Sequence, residues 1–318
     1  MRGAWLSRLR LQENWPALTF AILLLLDVAL KGRFSRFDLQ TLCANALPLA
    51  LISFGQFFVV LTGGIDLSLG PISSVAGSCA ALLLTRDMTT GFAVALLAGA
   101  AAGLCNGLLV VRFALPPIVV TLGSMSVWQG VALLILPNPG GEVPQELSDF
   151  LSSDYGVPTS LAALGVTWLA ASWVTSTRFG LHLRAIGDDE TAARMSGVAV
   201  PRVKTAAYVL AGATAAAGGV ALAIATSSGS PTVGDDYILL SIATVVLGGV
   251  SLGGGTGTAL GVVMGALIVT IIGSLLYFAH LSSFYQSIVN GVILLAVVAS
   301  PSARNWIDSQ FRWLHDAG

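Results

Sequence analysis

The chain has 318 residues, 55% of them hydrophobic and only 10% charged, with a net charge of −1; soluble domains carry about 25% charged residues. A water-surrounded fold of this size has no way to hide so much apolar surface, so the solvent must be lipid and a soluble enzyme is excluded. The near-zero charge gives nucleic acid no footing.

In chain order, Arg2, Arg8 and Arg10 precede an apolar run at 16–30. This resembles a signal sequence, but without a small-residue cleavage site behind it the run reads as an uncleaved first span. Asp27 inside it is expected to snorkel or to pair with Lys31 four residues on, so it is not assigned to a transport path. Apolar runs follow at about 41–61, 69–84, 91–111, 116–136, 159–175, 204–225, 237–250, 258–278 and 283–299, making about ten spans in all. The pattern is that of an all-α integral membrane protein folded as one transmembrane domain over 1–318. Small residues crowd 98–103 and 211–219, where they allow close helix–helix approach. Cys43, Cys79 and Cys105 lie in apolar stretches at no metal-binding spacing and read as small buried hydrophobes.

Residues 59–70, VVLTGGIDLSLG, carry the densest signal. A carboxylate at membrane depth costs roughly 2.5–3.5 kcal/mol on insertion scales, so Asp66 is expected to face protein, water or a cavity rather than lipid. Gly63, Gly64 and Gly70 supply the backbone freedom of a broken or re-entrant helix near 62–70. A simpler reading stays open, in which Asp66 and Ser68 only cap the following helix. A second glycine-rich break is expected at 248–257, whose text VVLGGVSLGGG echoes the first. It lacks the lysine of a phosphate loop, so the chain is not expected to bind nucleotide itself. His182, His280 and His315 form no constellation with a serine and an acid, and no hydrolytic motif is present.

Ten spans place both termini on one side. Arg2, Arg8, Arg10, Arg112, Arg178, Arg184, Arg194, Arg202, Lys204, Arg304 and Arg312 then share that side, against Lys31, Arg33, Arg36 and Arg86 opposite. Eleven against four predicts cytoplasmic termini. The loop after the first span violates the rule locally, whereas loop 137–158 has only acids: Glu142, Glu146, Asp149 and Asp154. The longest inner segment, 176–203, is expected to contain a glycine break at Gly187, the acids Asp188, Asp189 and Glu190, and a short helix over 191–196. Asp188 or Asp189 would cap that helix and Gly197 would stop it.

Four motifs together resemble the permease subunits of ribose/arabinose/xylose-type ABC importers, within the branched-chain amino-acid permease superfamily. They are GGIDLSLG at 63–70, TRFGLHLRAIGDDETAARMSG at 177–197, SPTVGDDYILLSIATVVLGGVSLGGGTGT at 230–258 and SSFYQSIVNGVILLAVV at 282–298, in family order. One departure is Gly187-Asp188-Asp189-Glu190, where many relatives have a glycine-glycine-asparagine type of sequence. The resemblance implies a bacterial inner-membrane permease that imports a monosaccharide and is not itself an enzyme. Separate ATPase subunits would bind ATP and Mg, a periplasmic or lipid-anchored sugar-binding protein would dock outside, and a second permease, identical or paralogous, would complete the path. It makes 176–203 the ATPase-coupling loop, with Gly187, Asp188, Asp189, Glu190, Ala193 and Gly197 as the docking segment. Amide side chains suit hydroxyl-rich cargo through hydrogen bonding, so Asn45, Gln56, Asp66, Asn106, Gln129, Gln286 and Asn290 are candidate path residues beside the 63–70 motif. Each has an interhelical hydrogen bond as its alternative role. Nucleoside, autoinducer or branched-chain amino-acid cargo stays open, as does an ion-coupled transporter. Its only intramembrane carboxylates would be Asp27 and Asp66.

Overall fold

The structure is a computed structural model that describes residues 2–281 and six positions between 285 and 295, with side chains from residue 15 onward. Twelve helices lie among the described residues: α1 (Arg2–Lys31), α2 (Arg36–Val60), α3 (Leu69–Leu83), α4 (Met88–Arg112), α5 (Pro117–Ile135), α6 (Gln145–Leu151), α7 (Thr159–Ser176), α8 (Arg178–Asp188), α9 (Glu190–Met195), α10 (Val200–Thr226), α11 (Asp235–Leu247) and α12 (Ala259–Phe278). Nine of the ten expected spans have their helix among the described residues. Most of the tenth, Gln286 and Asn290 included, lies outside them. Five helices, α2, α4, α5, α10 and α12, are long and apolar enough to cross a membrane.

Burial divides these helices into a hub and a rim. α2 is almost wholly enclosed, whereas α5 buries only Val120, Thr121 and Ala132 and turns Leu122, Val127 and Leu134 outward. Exposed leucine faces of this kind belong against acyl chains, and the protein is an integral membrane protein. α10 packs against α2, α3 and α4. Sequence dictates how closely. A Cβ at Gly103 of α4 would overlap the Tyr208 carbonyl of α10, and one at Gly212 would overlap the Gly99 carbonyl. Without glycine at these positions the two backbones must separate, so the small-residue runs serve packing as expected.

Both expected helix breaks are present. α2 ends at Val60 and α3 starts at Leu69, with Gly63 at φ +77° between them. α11 ends at Leu247 and α12 starts at Ala259, with Gly249, Gly254 and Gly255 at positive φ. Two local expectations need correction. Gly187 does not break the chain, because α8 runs through it to Asp188 and buries Gly180, Leu183 and Ile186 along one face. Cys105 is exposed on α4, on the leucine-bearing outer face with Leu104 and Leu108, whereas Cys43 and Cys79 are buried. Loop 137–158 contains α6 and is tied down: Glu142 N donates to Ala81 O, Gly140 and Gly229 exchange backbone bonds, and Ser148 Oγ donates to Ile224 O at 2.6 Å.

At the same end, two of the three basic residues after the first span, Lys31 and Arg36, find acids. Lys31 pairs with Asp27 at 2.8 Å and approaches Asp38 at 3.8 Å, while Arg36 lies 3.7 Å from Asp154. Neutralisation explains how this loop tolerates its charge. Asp27 is 2% exposed, also accepts a hydrogen bond from Ser274 Oγ, and belongs to this ion pair rather than snorkelling.

Candidate functional site

The first break builds its own support. Asp66 Oδ1 accepts from the Ser68 amide at 2.8 Å and from Ser68 Oγ at 2.6 Å, and Asn106 Nδ2 of α4 donates to Ser68 Oγ at 2.7 Å. Thr121 Oγ1 of α5 donates to the Ile65 carbonyl. Asp66 is 1% exposed and faces protein, as its cost in lipid requires. Its contact with the Ser68 amide is an i, i+2 turn onto the residue that precedes α3, and the Ser68 side chain makes no cap bond to the helix. Gly70 is needed here for a different reason, since a Cβ would overlap the Gly234 carbonyl.

Among the remaining path candidates, Gln56 and Asn106 are fully buried, and Gln129 Nε2 donates to the Pro231 carbonyl at 3.0 Å. Of the candidates among the described residues, only Asn45 lines the 740 Å³ cavity at the Lys31 end, between α1, α2, α10, α11 and α12, with Asp236 and Tyr237.

The segment expected to dock an ATPase is a compact, fastened helix. Asp189 caps α9, accepting from the Thr191 amide at 2.8 Å and the Ala192 amide at 2.9 Å, so Asp189 rather than Asp188 is the cap. At the other end the Val198 amide donates to the Ala193 carbonyl, with Gly197 at φ +86°. This left-handed stop favours glycine. Glu190 is held by Lys204 of α10 at 2.5 Å and by Arg194 at 3.0 Å. The hydrogen bond from the Lys204 ammonium, with Arg194 adding to it, keeps the Glu190 carboxyl below its ordinary range. Ala193 is 4% exposed and packs inward, while Met195 is 85% exposed. The outward face thus carries Met195, which motif reading passed over; only the helical phase of α9 against α8 and α10 reveals it.

The most informative geometry joins this loop to both breaks. The Gly255 amide donates to the Leu61 carbonyl at 3.2 Å, so the two breaks touch. A Cβ at Gly187 would overlap the Leu61 carbonyl oxygen and the Gly255 amide nitrogen, and would lie 3.0 Å from the Gly254 carbonyl carbon. One at Gly254 would come within 3.0 Å of the Gly63 amide. Arg184 adds a clamp, donating to the Thr175 carbonyl at 3.0 Å and the Gly257 carbonyl at 3.3 Å. Three glycine-bearing segments therefore meet backbone to backbone, two residues before the cap of α9. Glycine at 187 is required by close approach, not by chain reversal.

Comparison with known proteins matches residues 39–298 to the family model described as the branched-chain amino acid transport system / permease component. The chain belongs to that permease family. It is similar to the ribose import permease protein RbsC of Escherichia coli K12, 35% identical over 78% of this chain and 80% of the relative. RbsC of Bacillus subtilis 168 is 34% identical over 91% of this chain and 92% of its own length. The autoinducer 2 import system permease protein LsrC of Klebsiella pneumoniae is 37% identical over 88% of this chain and 83% of its own. No solved structure gives a significant match. In this permease the two glycine-rich breaks, 62–70 and 248–257, and the 177–197 segment are what converge at the junction.

Proposed function

We propose that this permease is the membrane subunit of an ATP-binding-cassette importer that moves a monosaccharide across the bacterial inner membrane, with its termini in the cytoplasm. The cargo assignment draws on the likeness to ribose import permeases over most of the chain. The coupling part rests on one observation: a capped, exposed helix α9 sits at the end of a helix whose Gly187 is wedged between the two breaks. A separate ATPase subunit, carrying ATP and Mg, would grip α9 through the face bearing Met195. Displacement of α8 would then spread or close the 61–64 and 253–257 segments together, because the Gly187 backbone meets both of them directly. A packed junction of this kind has discrete arrangements rather than a continuous range, and the ATPase biases their equilibrium. A sugar-binding protein would deliver cargo at the opposite end, and a second permease, identical or paralogous, would complete the path, with Asn45 facing it.

The test is uptake of labelled ribose into proteoliposomes with and without the cognate ATPase. Uptake that needs both ATP and that subunit supports the reading; uptake driven by an ion gradient alone overturns it. The likeness to an autoinducer 2 permease favours a second cargo of the same hydroxyl-rich kind. Competition of unlabelled autoinducer 2 against ribose uptake separates the two.

A further inference from the structure

At the end of the molecule where α8 and α9 lie, a groove of 860 Å³ runs between α4, α8 and α10. Its floor is apolar, formed by Leu108 and Val111 of α4, Phe179 of α8, and Ala206, Val209 and Leu210 of α10. Two arginines stand on its rim, Arg112 at the last residue of α4 and Arg202 in the first turn of α10. The helices are antiparallel here, since Gly99 meets Gly212 and Gly107 meets Thr205, so both arginines lie at the same depth. Among the described residues neither arginine forms an ion pair, while the acid on α9, Glu190, is already taken by Arg194 and Lys204.

We propose that this groove is a binding site for one anionic phospholipid, its phosphodiester between Arg112 and Arg202 and an acyl chain along the Leu108–Val209 floor. The chemistry selects this occupant. A soluble anion has no use for an apolar floor that extends two helical turns into the membrane. A zwitterionic lipid such as phosphatidylcholine brings a quaternary ammonium beside its phosphodiester, which partly cancels the charge offered to the two guanidiniums, and a second protein chain has to supply an acid to each. Basic pockets between spanning helices on the cytoplasmic side suit anionic headgroups. The position also gives the lipid a task. Phe179 belongs to α8, and Arg202 precedes by two residues the Lys204 that fastens α9, so an occupied groove braces the mount of the docking helix. This last step rests on the coupling reading; lipid binding itself does not.

The test uses the purified full-length permease, equilibrated with equal phosphatidylglycerol and phosphatidylcholine, with retained lipids counted by native mass spectrometry. Wild type is expected to retain phosphatidylglycerol selectively. Arg112→Gln and Arg202→Gln should each weaken retention about fivefold and the pair about 25-fold, following the attraction expected per basic residue. Arg202→Lys should keep most of it, and Ala206→Trp, which fills the groove, should abolish it while the protein stays monodisperse. Equal retention of both lipids by wild type, or unchanged retention in the double variant, overturns the site. If Ala206→Trp instead splits an oligomer and leaves lipid retention intact, the groove belongs to a second copy and the proposal also fails. ATP-driven uptake lost in neutral-lipid vesicles ties the site to coupling, and uptake indifferent to lipid charge severs that tie without touching the importer assignment.

Discussion

Replacing Gly187 by alanine adds a single methyl group at the point where three backbones meet. That methyl overlaps the Leu61 carbonyl oxygen and the Gly255 amide nitrogen, both main-chain atoms that no rotamer change moves aside. Either α8 backs away or the 61–64 and 253–257 segments part. Overpacking of this kind costs about 1–3 kcal/mol, and separating Gly255 from Leu61 removes a hydrogen bond of about 1 kcal/mol. A total of about 2–4 kcal/mol is about 30-fold to nearly a thousandfold in the equilibrium between joined and sprung junctions, yet smaller than the ~5–15 kcal/mol that holds a domain folded. The protein should therefore insert and purify, while coupling suffers. The assay is sugar molecules taken up per ATP hydrolysed in proteoliposomes containing the ATPase, with Gly123→Ala on α5 as control, where a Cβ meets nothing within 4 Å. The expected result is a ratio at least tenfold down for Gly187→Ala and unchanged for Gly123→Ala. A wild-type ratio and wild-type thermal stability in Gly187→Ala would refute the junction as the coupling route.

Other perturbations probe its surroundings. Asp66→Ala leaves the buried Ser68 amide and hydroxyl without their acceptor, for about 2–4 kcal/mol, whereas Asp66→Asn keeps an oxygen in place and should cost less; thermal unfolding in detergent ranks the two. Gly103→Ala drives a methyl into the Tyr208 carbonyl and should lower stability by about 1–3 kcal/mol, read as a drop in melting temperature. Lys204→Met releases Glu190 and should speed hydrogen exchange at the Ala192 amide severalfold, since a partly exposed pair contributes about 1 kcal/mol or less. Because the folded-state carboxyl of Glu190 lies below its ordinary value of 4.5, its contribution is complete above that value and is lost as pH falls through the folded value. Exchange at Ala192, corrected for its intrinsic rate, should be flat from pH 5 to 8 and rise only in stronger acid.

Much of this was legible in the residues. Apolar runs located nine helices, five of them long and apolar enough to cross a membrane, and glycines beside an acid in an apolar stretch located the first break, because lipid leaves the backbone few alternatives to helix. What sequence did not carry was the partner of each glycine. Gly187 reads as a break when seen alone, since glycine serves chain reversal and close packing equally, and only the Leu61 carbonyl opposite it tells which. The same holds for Ala193 and Met195, two positions apart on α9. The six-residue helix is too short for periodicity to assign a face, and its phase is set by the Glu190–Lys204 pair. Cys105 failed for a related reason, since in a membrane an apolar neighbourhood describes the outside as well as the inside.

The 27 residues of α10 span about 40 Å, and each end is tied to the segment that faces water there. Near its start Lys204 holds Glu190 of α9; near its end the Ile224 carbonyl holds Ser148 of α6. Its glycines lock it against α3 and α4 along the way. Such a rod has little freedom to bend, so a tilt imposed on one side of the membrane emerges on the other as displacement of the loop above. A delivery protein resting on that loop would feel the nucleotide state without any signal crossing the cargo path, and a rigid ligand clamped on the α6 loop from outside would stall ATP turnover 40 Å away.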